Sequence, residues 1–290
     1  MKAMKKLIPA LAMLLVSAVV MSSASFTWFT MSRQVTAQGM NVTVTAPNNL
    51  LIKLASEEDE VANYAEIKTI NGNAIKLVPA STKSGKSTEI YSVKDGEALD
   101  TTDGSLFMTD TDGKQTKLEP ADLAVDGGAE GGYYDFKYTL KTEGSTSVDV
   151  VVKSITVTNN ATGKSVEPVR VAVMPEDQSK IKMYNPVNGR NLDNKVVKEL
   201  TGEVPTLDAD TNIYVDKIST STPEANKTVT VYANNTNGSD RKFVTLASNT
   251  PTNIIVRVWY EGQDEKCVVS TGANAKFDVE LVLADVNALS

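Results

Sequence analysis

Histidine is absent from this chain, and cysteine occurs once, at Cys267. The first absence removes the side chain used most for general-base work and for zinc binding near neutral pH. The second excludes an intramolecular disulfide or a thiolate cluster, which leaves an oxidising compartment open but unused. Aromatics make up only 6% of the residues, yet 41% are hydrophobic, enough to bury a core in one large or two small domains. Positive charge is in deficit, with a formal balance of -7, so neither nucleic acid nor anionic lipid is an expected partner of the folded body. No Gly-x-Ser-x-Gly elbow, Walker loop, dinucleotide fingerprint or metal-ligand spacing occurs. The chain is therefore expected not to be an enzyme, with no catalytic residue, no cofactor and no metal. A carboxylate-only hydrolase stays open, because its acid pair is set in space and not along the sequence.

What is abundant is Val, Thr, Ser, Asn and Gly in short alternating runs, an all-β composition. The first stretch has a different character. Lys2, Lys5 and Lys6 form a positive n-region, Leu7 to Met21 an apolar h-region, and Ser22-Ser23-Ala24 a small-residue cleavage site. This is the layout of a secretory signal peptide, residues 1–24, cut by a signal peptidase between Ala24 and Ser25. The expected location is extracellular or on the cell surface, and the mature part then carries about -10 once the three lysines are gone. The alternative is an uncleaved anchor, since no charge occurs from Leu7 to Met31 and a span needs only about 20 residues. Membrane contact is expected through that segment alone.

Residues 25–38 form an N-terminal extension carrying Phe26, Trp28, Phe29 and Met31, too apolar for a solvated tail. As a strand it places apolar side chains on both faces, which suits a segment added to an open sheet edge of a neighbouring subunit. These four residues are the expected assembly residues, and a second copy of the chain is the expected partner.

From residue 39 to 290 the alternation predicts an antiparallel two-sheet sandwich with few short helices. Met40, Val42 and Val44 mark a first strand, "APNN" a turn and "LLIKLA" the returning strand. Glu57 to Ile67 is acidic and is expected to form a short helix. A Ser, Thr, Gly and Asp-rich stretch from about residue 81 to 132 is a surface insertion. Tyr134, Phe136, Tyr138 and Leu140 alternate, as do Val148, Val150 and Val152. Ile155 and Val157 then continue with shifted parity, which predicts a bulge. Further strands are expected at Val169 to Val173 and in "IKMYNP", "NIYVDKI", "TVTVYA", "KFVTLA", "NIIVRVWY" and "AKFDVELVL", with a helical turn or two at Asn194 to Leu200.

Three phrases invite a site. "MTDTDGKQTKLE" places Asp110, Asp112, Gly113 and Glu119 at calcium-loop spacing, but Met108 stands in the first ligand place. It reads as a solvated Asp-Gly turn, with weak calcium binding as the alternative. Ser179-Lys180-Ile181-Lys182 matches Ser-x-x-Lys without its companion motifs and reads as a strand end. In "VWYEGQDEKC", Trp259 and Tyr260 beside Glu261 and Asp264 offer a sugar-binding ledge, while strand, turn at Gly262 and strand account for the same residues.

The join "SSASFTWFTMSRQVTAQGMNVTV" resembles the TasA/camelysin group of secreted Firmicute proteins. In that group a SipW-type peptidase removes the signal peptide, and an aromatic pair after the cut precedes a small-Gly-x-apolar strand. Trp28-Phe29 and Gln38-Gly39-Met40 occupy those places here, with Met31 and Ser32 where an acidic residue is usual. "VWYEGQDEKC" looks like a Trp-x-Glu-Gly-x-Asp-x-x-Cys phrase found near the C-terminus of secreted proteins from gut Clostridia. The resemblance implies a jelly-roll subunit of an extracellular fibre, biofilm matrix or surface layer. Camelysin's protease activity is not carried over, because no histidine is present to hold zinc. The alternative function is a monomeric surface adhesin or carbohydrate-binding sandwich.

Overall fold

A computed structural model describes residues 37–46, 49–82, 84–93, 107–109, 115–125, 127–160, 166–184, 217–221, 226–230, 242–262, 267 and 276–288. The strands run β1 (Ala37–Thr45), β2 (Leu50–Leu54), β3 (Ile67–Leu77), β4 (Ala80–Thr82), β5 (Ile90–Val93), β6 (Phe107–Thr109), β7 (Gln115–Pro120) and β8 (Tyr133–Thr142). They continue as β9 (Val148–Asn159), β10 (Val169–Pro175), β11 (Lys182–Tyr184), β12 (Lys217–Ser221), β13 (Asn226–Thr230), β14 (Val244–Leu246), β15 (Thr252–Tyr260) and β16 (Phe277–Asp285). Helix is confined, among the described residues, to 3-10 turns at Val61–Asn63, Ser87–Glu89 and Val286–Ala288. The chain is all-β, as its composition predicts.

Three sheets form. The first has the order β12-β13-β9-β16-β1-β3, with β14 also on β9; the second is β11-β10-β15-β8-β2; the third is β4-β5-β7-β6. Alternate residues of the first two sheets share one buried core, with Val42, Ile155 and Leu281 from the first and Phe136, Val171 and Val256 from the second. The Tyr138 hydroxyl crosses that core and donates to the Val42 carbonyl at 2.6 Å. Burial is the main cause that raises this phenol's pKa, so it stays a neutral donor. The parity shift in β9 is a bulge: Ser154 faces Val282 and Val152 faces Leu283, so Lys153 has no partner on β16.

Several expectations change. β1 and β2 do not pair as a hairpin. β1 lies between β16 and β3 in the first sheet, and β2 pairs β8 in the second. The turn, with Asn49 in the left-handed region, carries the chain from one sheet to the facing one, so that Val44 and Leu50 enter the core from opposite sides. The sandwich is also not wholly antiparallel, since β1 and β16 run parallel, Met40 beside Phe277 through Thr45 beside Val282. Strands from opposite ends of a chain need no short connection, so nothing local imposes the antiparallel sense.

Glu57 to Ile67 forms no helix beyond the Val61–Asn63 turn. Its carboxyl and carbonyl groups are committed elsewhere. Glu57 Oε2 accepts the Leu54 N–H at 2.7 Å, Lys68 donates to both carboxyl oxygens, and Lys53 donates to the Glu57 carbonyl at 2.8 Å. The hydrogen bond from Lys68 leads the causes that hold the Glu57 carboxyl below its usual range. A depressed carboxyl contributes stability above the unfolded pKa of about 4.3 and loses it as pH falls through the folded value. Unfolding free energies of wild type and Glu57→Gln, read from urea titrations, are expected to differ by about 0.5 kcal/mol at pH 7, a partly exposed pair's worth, and to converge towards pH 3. A difference that widened with acid would contradict this.

The insertion expected at about residue 81 to 132 supplies the third sheet. It lies on the outer face of the second sheet, where Ala80, Ile90 and Ala121 pack with Ala172, Met174, Ile255 and Trp259 in a second buried cluster. β15 is thereby covered on both faces, and from Ile254 to Tyr260 every residue is buried.

Candidate functional site

The expected cleavage residues Ala24 and Ser25 and the expected assembly residues Phe26, Trp28, Phe29 and Met31 lie outside the described residues, as do Asn194 to Leu200. Asp110, Asp112, Gly113 and Asp264 lie outside them too, while Glu119 falls on β7. Ser179 sits in an exposed turn, its N–H on Asp177 Oδ1 at 2.9 Å, and Lys182 is buried at the start of β11. Trp259 and Tyr260 make no ledge. Both are buried, on opposite faces of β15: Trp259 under the insertion, Tyr260 in the main core with Cys267.

Glu261 is likewise buried, and its carboxylate accepts from the Ser81 hydroxyl and from Trp259 Nε1 at 3.1 Å. Earlier on β15, Arg257 is fully buried and forms a two-pronged pair with Asp135, Nε to Oδ1 at 2.7 Å and Nη2 to Oδ2 at 2.8 Å. Its Nη1 donates to the Gly85 carbonyl at 2.5 Å, and the guanidinium lies 4.7 Å from the Tyr133 ring centroid. Burial raises the Tyr133 phenol, with Arg257 opposing it. Gly85 has a φ of +74°, and a Cβ there would come within 2.9 Å of Met183 Sδ, so the close approach needs glycine. These groups are satisfied and closed to solvent. They fasten the insertion to the sandwich and leave no room for a substrate.

The open feature is an edge. β3 is an end strand of the first sheet, and among the described residues no strand pairs its outer side along Ile67 to Ile75. The second sheet's β2 edge differs, because Ile52 and Ala65 exchange both backbone hydrogen bonds there, at 2.8 and 3.0 Å. On β3, Ile70 is half-buried against the core and Ile67 is 56% exposed. At its far end Gly131 takes the Val78 N–H and gives its own to the Lys76 carbonyl, pressed against Ala124. The neighbours of Ala124, Leu123 and Val125, are exposed at 44% and 56%. An unpaired strand with apolar groups at both ends is a template for another strand. No single residue type announces it, so the sequence carries no signal for the edge beyond the length of the "IKTINGNAIKL" run.

No helix among the described residues is long and apolar enough to cross a membrane. No protein-family model matches the chain, and no curated protein does. Among solved structures the chain is similar to AvmM, which catalyses macrocyclization in alchivemycin A biosynthesis, at 8% identity over 53% of this chain and 80% of that one, with a TM-score of 0.22. It is similar to the CBM3a-L domain with flanking linkers from scaffoldin CipA of the Clostridium thermocellum cellulosome, at 11% identity over 50% and 71%, TM-score 0.17. A third is the collagen binding domain of the Erysipelothrix rhusiopathiae surface protein RspB, at 8% identity over 84% and 83%, TM-score 0.15.

Proposed function

We propose that the chain is an exported, non-catalytic structural subunit of an extracellular fibre, biofilm matrix or cell-surface layer, and that it assembles by strand addition. The observation that carries this is the open edge of β3, Ile67 to Ile75, with its flanking exposed apolar residues. The occupant is the segment around Phe26, Trp28, Phe29 and Met31 of the next copy. Backbone groups give affinity along such an edge, and side-chain pockets give register. The contact is head to tail, so it propagates instead of closing. Negative-stain microscopy of the chain from Ser25 at rising concentration is the test: filaments are expected, and strictly monomeric particles would sink the reading. A polar row on the outer face of the second sheet, Thr139 bonded to Asn253 and Asn253 to Glu176, favours a second reading, a monomeric adhesin or carbohydrate-binding sandwich, which such particles would select.

A further inference from the structure

Away from the insertion, the second sheet's outer face carries a polar row across four strands. Register sets Lys53 of β2 beside Thr139 of β8, and Thr139 beside Asn253 of β15. Glu176, just past β10, donates its N–H to the Asn253 carbonyl at 3.2 Å. The side chains are locked in series: Thr139 Oγ1 donates to Asn253 Oδ1 at 2.9 Å, and Asn253 Nδ2 donates to Glu176 Oε2 at 2.8 Å. Lys53 is 5% exposed, with the main-chain carbonyls of Glu57 at 2.8 Å and Leu54 at 3.4 Å as acceptors. Its ammonium also lies 5.9 Å from the Tyr64 ring centroid.

The row floors a groove of about 940 Å³, walled by Pro175 and Pro251. Three strand spacings make the floor about 14 Å long, the reach of a short oligosaccharide. It presents a fixed donor, the second Asn253 N–H, and fixed acceptors, from Thr139 and Glu176. A sugar hydroxyl, donor and acceptor at once, matches such a mixed row; a simple cation uses only the acceptors. The rim sets the charge. Among the described residues, Glu57, Glu58, Asp59, Glu176 and Asp177 line the groove, and Lys53 is the single lining cation. Phosphorylated or sulfated chains are therefore repelled and ammonium groups attracted.

We propose that this groove binds an oligosaccharide with free amino groups, its hydroxyls on the Thr139, Asn253 and Glu176 floor and its ammonium groups against the rim. The inference stands apart from strand addition, since filaments are read by microscopy and this ligand by calorimetry. The probe is the glucosamine trimer, titrated into the chain from Ser25 alongside its N-acetylated counterpart and trilysine. The glucosamine trimer is expected to bind, and Asn253→Ala and Thr139→Val, each shown to keep the wild-type melting transition, are expected to weaken it about tenfold. No binding at millimolar trimer would overturn the proposal. So would equal affinity for trilysine, which means charge alone, equal affinity for the acetylated trimer, which makes the amino groups irrelevant, or full affinity in both variants.

Discussion

A chain that begins at Ala37 is expected to melt as cooperatively as one that begins at Ser25, and to form no filaments at any concentration at which the longer chain does. The first half of this expectation rests on β1, which the deletion leaves whole, held between β16 and β3 with Met40, Val42 and Val44 in the core. The second rests on what is lost, the apolar segment proposed to cover the β3 edge. Two point changes separate donor from acceptor. Trp28→Asp puts a carboxylate where a buried ring is proposed, at a cost of several kcal/mol in the assembled state and little in the monomer. Ile67→Lys places a charge at the mouth of the edge, where Ile67 is 56% exposed and contributes little to the fold. Sedimentation of assembled material is expected to fall at least tenfold in each, with melting temperatures close to wild type. Normal yield from the chain that begins at Ala37 would sink the donor assignment.

Arg257→Met is expected to destabilise the protein by about 3–5 kcal/mol, read as a drop in the urea midpoint, because it strands the Asp135 carboxylate and the Gly85 carbonyl. Arg257 is fully buried and Asp135 is 10% exposed, so water gives little compensation. Arg257→Lys restores charge but not the planar fork that pairs two oxygens and lies on Tyr133, so most of the loss is expected to remain. The double change Arg257→Met with Asp135→Leu removes both charges and is expected to recover a good part of it. A loss below about 1 kcal/mol in Arg257→Met would mean that the Arg257–Asp135 pair does not hold the insertion.

The outcome for each strand depended on whether its neighbours were local. β8 shows its alternation, and the β9 bulge is visible in the step from Val152 to Ile155, since both are properties of one strand. The partner of β2 was not legible, because a tight turn looks the same whether it reverses the chain within a sheet or hands it to the facing sheet. β15 held a clue to the third layer. "IIVRVWY" is a continuous run, with Arg257 among apolar residues, and continuity without alternation marks a strand covered on both faces. The same run explains why Trp259 and Tyr260 serve two cores and no ligand. The groove floor was beyond sequence reading, since Lys53, Thr139, Asn253 and Glu176 are ordinary residues far apart in the chain, joined only by register.

The parallel pairing of β1 with β16 has a mechanical consequence. Because the two strands run the same way, the chain leaves β1 at one end of the sheet through Ala37 and leaves β16 at the other through Asp285. Tension drawn through the two ends pulls these neighbours past each other, loading the pairs from Met40 and Phe277 to Thr45 and Val282 together in shear instead of peeling them one by one. A single molecule pulled from residues 37 and 288 is expected to yield in one abrupt step at high force. A gradual, low-force unravelling would show that the load takes another path.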